Sequence, residues 1–199
     1  MILSKIMFSK CSHICGDEGT PMSTEKHAVT PVALPAESEV SRIYKSMNLA
    51  DAYSIPLPDG TSASPELLAR FIFSQQAPWI TGLMKVRDAL VAGFGLKTSN
   101  RLTSLGTEDM AKRIGIFKIY STTKHEIILG EDDKHLNFRL SVLCSVQPTG
   151  ERRLILSTVV HCHNRLGRIY IFLIAPFHRL VVRSSLCRAA RIGWPQVSR

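Results

Sequence analysis

The last quarter of the sequence lacks acidic residues. Residues 152–199 contain nine arginines but no aspartate, glutamate or lysine. All 16 acidic side chains and the other 16 of the 25 basic ones precede residue 152, so their formal charges cancel. The net charge of +9 therefore belongs to the C-terminal segment. This placement excludes a uniformly basic surface and indicates an anionic partner or surface near one part of the chain.

The sequence also lacks a long uninterrupted apolar stretch. The first eight residues are broken by Ser4 and Lys5, whereas a signal peptide needs roughly 7–15 consecutive apolar residues. The longest apolar run, residues 169–177, contains Pro176 and reaches about half of the ~18 residues of a membrane span. The five cysteines are odd in number and scattered, unlike a disulfide framework. We expect no transmembrane segment and a cytoplasmic location.

No motif imposes the geometry of a catalytic site. Gly93 and Gly95 lie at a predicted helix end, without the preceding strand or the third glycine of a dinucleotide-binding loop. Cys144 and Cys162 fall on strand faces that are predicted to be apolar, where thiols are usually inert. We therefore predict no catalytic residue, no cofactor and no metal ion, and the sequence assigns no enzyme reaction.

The composition divides the chain into one domain and two tails. Residues 9–48 contain three prolines and mixed charges with little periodicity, a composition that buries too little surface to offset the entropy of ordering. We predict a flexible N-terminal tail over residues 1–48. A single domain is expected over residues 49–191, with a C-terminal tail over residues 192–199.

Hydrophobic periodicity predicts a strand, two helices and then an antiparallel meander. Residues 51–57 alternate and stop at a turn, which indicates a short edge strand. Ser64 and Pro65 mark a helix start, and Pro78 begins a second helix. From residue 114 the apolar period changes to two, which is typical of short hairpin strands.

Two long strands and one long helix complete the domain. Residues 136–146 alternate apolar and polar side chains, and residues 153–163 return as another strand. Apolar residues keep helical spacing from 166 to 187 through Pro176, which predicts one long, kinked helix. This order predicts an α+β chain with helix-grip (START/Bet v 1-like) architecture, in which a curved antiparallel sheet surrounds a long C-terminal helix.

Four segments of the chain resemble one family. They are residues 79–88, 134–139, 157–164 and 167–179, the last containing the Gly-Arg-x-Tyr and Pro-Phe-His sequences. Together they resemble the bacterial domain-of-unknown-function family 2867 over about residues 49–190. The family has no assigned reaction. Some relatives carry the domain behind a short-chain-dehydrogenase-like reductase, so the resemblance implies a reductase-like partner, although no nicotinamide site is carried over.

Three histidines and one arginine are candidates for anion binding. His161 and His163 share one strand face, and His135 and Arg139 share the polar face of another strand. If the two long strands pair directly, these four side chains would form a cationic patch for a carboxylate or phosphate. A divalent metal between His161 and His163, or a merely solvated outer face, are the alternatives.

We predict that the domain binds an apolar or amphipathic small molecule between the sheet and the C-terminal helix. The candidate ligand-binding residues, besides the four of the patch, are Trp79, Arg87, Phe138, Tyr170 and His178. The alternative is an accessory module that docks through its arginine-rich helix to a partner protein or an anionic membrane surface. Nucleic acid is not favoured, because the arginines are not interleaved with aromatic residues on one face.

Overall fold

The computed structural model describes residues 28–75 and 112–197. Its strands are β1 (Thr30–Val32), β2 (Leu49–Pro56), β3 (Arg113–Ile114), β4 (Phe117–Thr122), β5 (Glu126–Asp132), β6 (Leu136–Val146) and β7 (Arg152–Cys162). Its helices are α1 (Val40–Ile43), α2 (Pro65–Ser74) and α3 (Arg165–Ile192). The seven strands form one antiparallel sheet in the order β1-β2-β7-β6-β5-β4-β3. The predicted α+β fold with a long C-terminal helix is confirmed.

The centre of the sheet is the pair formed by β6 and β7. The two strands are in register over their whole length, with Leu136 opposite Cys162 and Val146 opposite Arg152. Direct pairing of the two long strands is therefore confirmed. The predicted edge position of β2 is wrong, because β1 pairs with one side of β2 and β7 with the other.

Both helices longer than one turn pack on the same face of the sheet, called here the helix face. Ser64 begins α2 as predicted, since its hydroxyl accepts a hydrogen bond from the Leu67 backbone N–H at 3.3 Å. The core on this face combines strand and helix residues that are fully buried: Ile55, Leu68, Ile72, Leu129, Val142, Leu154 and Leu186. The second helix predicted after Pro78 lies outside the described residues.

The opposite face of the sheet, called here the back face, is covered by residues 34–47. Val40 is fully buried against Ile128 and Val159, with Leu34, Tyr44 and Met47 packed around them. The expected flexible tail is thus wrong for residues 28–48, which supply β1, α1 and this cover. The segment lacks periodicity because it is held by a few anchoring contacts rather than by one regular apolar face.

The main polar anchor of this cover is the buried carboxylate of Glu126. It accepts hydrogen bonds from the hydroxyls of Ser38 and Ser141 and, at 3.0 Å, from the Glu39 backbone N–H. Glu126 is 5% exposed, so these three donors replace the water that burial removes. The anchor joins the segment before α1 to strands β5 and β6.

The residues after α3 also belong to the fold. Trp194 is buried and its ring lies 6.2 Å from that of Phe71. The Val197 backbone N–H donates to the Gly60 carbonyl at 2.9 Å. The predicted C-terminal tail over residues 192–199 is therefore wrong up to residue 197, because an aromatic side chain after the helix completes the core.

The long helix α3 runs through Pro176 without interruption, as predicted. It begins at Asn164, whose side-chain oxygen accepts a hydrogen bond from the Gly167 backbone N–H at 3.0 Å. Gly167 itself lies against the sheet, because a Cβ there would be 2.4 Å from the His135 carbonyl oxygen. The start of α3 is thus fixed directly on the connection into β6.

Replacement of Glu126 by glutamine tests the anchor of residues 34–47. Glu126→Gln turns one acceptor oxygen into a donor, which leaves the Glu39 N–H or a serine hydroxyl without its acceptor. We expect the free energy of unfolding to fall by about 1–3 kcal/mol in urea titrations. The control is Glu151→Gln at a half-exposed carboxylate; equal effects of the two substitutions would contradict the anchor.

The close contact between Gly167 and the His135 carbonyl predicts that a glycine-to-alanine change will lower the stability of the protein rather than raise it. In an open helix this change stabilises by about 1 kcal/mol. Gly167→Ala should instead destabilise the protein by about 1–3 kcal/mol, because the added methyl forces the helix away from the sheet. Arg168→Ala at the next, exposed position is the control and should change stability by less than about 0.5 kcal/mol. A stabilised Gly167→Ala protein would exclude this close contact.

Candidate functional site

The predicted cationic patch divides into separate contacts on the back face. His161 and His163 do lie together, with ring centroids 5.4 Å apart. His163 Nε2 is hydrogen-bonded to Asn137 Oδ1 at 3.0 Å, and His161 Nδ1 to the Ser46 carbonyl at 2.9 Å. The His135 carbonyl accepts a hydrogen bond from the His163 backbone N–H at 2.9 Å, but its ring has another partner, since its Nδ1 accepts a hydrogen bond from Asn164 Nδ2 at 2.9 Å. The strand pairing alone thus does not unite the four side chains.

Arg139, the expected anion ligand of the patch, is engaged within the protein. Both of its terminal nitrogens donate to Asp132, at 2.8 and 3.2 Å. Its guanidinium lies 3.6 Å from the ring centre of Tyr120 and 5.9 Å from that of Tyr44. Because the donor fork already holds a carboxylate, Arg139 ties β5 to β6 and is not a free anion site.

The contacts around Arg139 determine the protonation states of Asp132 and Tyr120. Burial raises the pKa of Asp132, but hydrogen bonds from Arg139 and Tyr120 outweigh it, and the pKa lies below its usual value. Burial and the hydrogen bond to Asp132 raise the pKa of Tyr120 to about 12. Asp132 thus stays ionised and Tyr120 protonated at neutral pH, as in a structural ion pair.

A metal centre is not assembled by these residues. In the described ranges 28–75 and 112–197, no three side chains among His, Cys, Asp and Glu converge as metal ligands. Within these ranges, His161 and His163 have no third side chain beside them that could complete a metal site. Zinc sites in proteins use three or four protein ligands.

A different polar group lies on the helix face, between the sheet and α3. Asp51 of β2 and Thr158 of β7 are opposite each other in the sheet. His178 of α3 reaches down to both, with Nε2 3.1 Å from Thr158 Oγ1 and 3.6 Å from Asp51 Oδ1. Arg179 Nε lies 3.6 Å from Asp51 Oδ2. These four residues are called here the Asp51 site.

The carboxylate of Asp51 is buried but not hydrogen-bonded. Both oxygens are shielded from solvent and neither has a hydrogen-bond partner in the part of the chain that the structure describes. The His178 and Arg179 nitrogens, each 3.6 Å from one of these oxygens, are beyond hydrogen-bonding distance. An ionised carboxylate accepts about four hydrogen bonds, so this group keeps its full accepting capacity for another molecule.

The Asp51 site interrupts an otherwise apolar surface. Along the inward side of α3, His178 occupies a position between the buried residues Ile171 and Val182. Ile171 belongs to one apolar cluster and Val182 to the main core. The predicted wall residues Phe138 and Tyr170 are partly buried beside Ile171. The site thus combines a polar centre with apolar walls on both sides.

The geometry does not form a nucleophile–base–acid triad. A triad histidine uses one ring nitrogen for the nucleophile and the other for the carboxylate. Here the same nitrogen, Nε2 of His178, faces both the Thr158 hydroxyl and the Asp51 carboxylate. The arrangement suits binding better than activation of the Thr158 hydroxyl.

His178, Phe138 and Tyr170 were predicted as site residues, whereas Asp51 was missed. The available signal was an aspartate at an alternating position with Tyr53 and Ile55, which places a carboxylate on the apolar face of the strand. The predicted ligand residues Trp79 and Arg87 lie outside the described residues.

Two aspartate-to-asparagine substitutions should have opposite effects on stability. Asp51→Asn removes a desolvated, unbonded charge, and we expect the free energy of unfolding to rise by about 1 kcal/mol. Asp132→Asn removes the charge and one of the two oxygens that accept hydrogen bonds from Arg139 and Tyr120, so a fall of about 1 kcal/mol is expected, moderated by partial exposure. Urea titrations at pH 7 measure both; a loss of stability in Asp51→Asn would show that its carboxylate is already satisfied.

Comparisons with known proteins give one result. Neither the curated proteins nor the solved structures contain a match to this chain. A family model described as "Protein of unknown function (DUF2867)" matches residues 43–185, which include β2, α2, the meander from β3 to β7 and most of α3. The chain therefore belongs to the DUF2867 family of proteins of unknown function.

Proposed function

We propose that this domain binds an amphipathic small molecule between the sheet and α3, with Asp51 as its polar anchor. The observation that carries the proposal is the buried carboxylate whose two oxygens lack hydrogen bonds in the described structure. Such a group costs stability unless a donor reaches it. A hydroxyl or amine of a bound molecule would supply that donor.

The arrangement of sheet and helix supports this location. We infer a helix-grip arrangement, in which a sheet lies around a long C-terminal helix and leaves ligand space between them. β2 and β7 present Asp51 and Thr158 towards α3, and α3 presents His178 in return. A molecule at the Asp51 site would thus be held by the two elements that define the architecture.

The side chains around the site indicate the chemistry of the ligand. Phe138, Tyr170 and Ala175 are partly buried next to Leu136 and Val160, so they would contact an apolar body. The Asp51 carboxylate attracts a hydrogen-bond donor or a cation and repels a carboxylate placed beside it. The ligand class is therefore an apolar alcohol or amine rather than a fatty acid.

Three probes of equal chain length separate these chemistries. We expect 1-octylamine and 1-octanol to raise the Tm of the wild-type protein by linkage, and octanoate to leave it unchanged. Asp51→Asn should weaken octylamine binding at least tenfold, because a charge-assisted hydrogen bond contributes about 1.5–3 kcal/mol. Differential scanning fluorimetry and titration calorimetry measure these effects.

The control is Asp132→Asn, which changes a carboxylate on the back face and should leave probe binding intact. Native mass spectrometry is an independent measurement. We expect a co-purifying small molecule on the wild-type protein and none on the Asp51→Asn protein. Equal probe binding by the wild type and Asp51→Asn would overturn the proposal.

A further inference from the structure

The first half of α3 exposes large apolar side chains. Ile169 is 56% exposed, Phe172 81%, Leu173 51% and Phe177 43%. These four residues are called here the apolar face of α3. Ile171, which precedes Phe172, is by contrast buried towards the sheet. Contiguous exposed apolar surface of this kind marks a contact site.

A row of arginines runs beside the apolar face. Arg165, Arg168, Arg179 and Arg183 are separated by three, eleven and four residues, spacings that place them on one side of a helix. The chain from residue 152 onwards contains no acidic residue that would neutralise them. Asp51 approaches one of the four, Arg179, from the sheet side. The surface is therefore both apolar and strongly cationic.

We propose that the apolar face of α3 and its arginine row bind the surface of a membrane that contains anionic phospholipids. An interfacial helix inserts aromatic and aliphatic side chains among the acyl chains, while flanking arginines contact the headgroup phosphates. Phe172, the most exposed of the four apolar residues, lies three to four residues from Arg168 and Ile169 and joins the two rows.

The structure favours a helix that lies on the membrane over one that crosses it. By length and composition alone, α3 meets the requirement for a span, with a mean hydropathy of 1.3 over its most apolar window. Its second half is nevertheless part of the core, where Leu186 and Ala189 are fully buried. A spanning α3 would have to leave the sheet, whereas surface binding uses only the side that faces away from it.

Charge also decides between a lipid surface and a second copy of this chain. A symmetric dimer through the apolar face would bring two arginine rows together, and like charges across an interface oppose association. An anionic surface is complementary to the same residues. The other occupants of the face, namely a second copy or residues 76–111, are outcomes that the experiment distinguishes.

Vesicle sedimentation tests the proposal with the full chain. We expect binding to vesicles of phosphatidylglycerol and phosphatidylcholine, little binding to phosphatidylcholine alone, and loss of binding in high salt. Phe172→Ser should weaken binding roughly tenfold, and Arg168→Gln roughly fivefold. Val146→Ser is the matched control, because Val146 is 67% exposed at the end of β6 and should have no effect.

Four results would overturn the proposal. Equal binding to both vesicle types would remove the role of the arginines, and binding that resists alkaline carbonate would indicate a span. A dimer in light scattering that Phe172→Ser dissociates would identify a second copy. No vesicle binding, together with a marked loss of unfolding free energy in Phe172→Ser, would show that the chain covers the face itself. Phe172→Ser should keep the octylamine affinity of the wild-type protein, because Phe172 is 81% exposed, so the two proposals can fail separately.

Discussion

The burial of the sheet on both faces is the constraint on which the rest of the structure depends. With helices on one side and residues 34–47 on the other, polar side chains along the central strands are removed from water. Each such group must then find a partner inside the protein, because burial of an unpaired polar group costs free energy. The charged residues of the central strands differ in how fully they are hydrogen-bonded, as Glu126, Arg139 and Asp51 show.

Glu126 and Arg139 on the back face are satisfied by the protein itself. Glu126 receives three hydrogen bonds, and Arg139 has both a carboxylate and an aromatic ring as partners. These contacts join segments that are distant in sequence and so specify how the cover and strands fit together. Asp51 differs, because the nearest nitrogens of His178 and Arg179 lie 3.6 Å from its oxygens, beyond hydrogen-bonding distance. A polar group that the fold buries without satisfying it is typical of a functional site.

The sequence predicted those parts of the fold that repeat with a regular period. The alternation in β6 and the helical spacing through Pro176 both appear as predicted, because the apolar side chains of each element repeat at the period of its own backbone. The cover of the back face was missed, since it depends on single contacts such as Ser38 with Glu126 across the chain. Local patterns do not contain such contacts.

The site was predictable only in part for the same reason. Phe138, Tyr170 and His178 stood out from the family resemblance and the apolar stripe. Arg139 was misjudged, because nothing in the sequence pairs it with Asp132, seven residues earlier. β5 in fact continues to Asp132, which brings the carboxylate beside the guanidinium. Asp51 and His178 meet only when β2 and α3 are packed together, so their relation is a property of the tertiary structure.

The fold shows where the arginines behind the net charge of +9 lie along α3. The second half buries Val182, Leu186 and Ala189 and so fixes the helix to the sheet. The first half keeps only one side in contact with the sheet and turns Phe172, Arg165 and Arg168 outwards. Pro176 lies between the halves and has no N–H to donate to the Phe172 carbonyl. Only Arg165 and Arg168 lie in the first half of α3, whereas Arg179, Arg183, Arg188 and Arg191 lie in the second. The charge therefore extends along the whole helix, while the large exposed side chains Phe172 and Leu173 lie in the half that the main core does not bury.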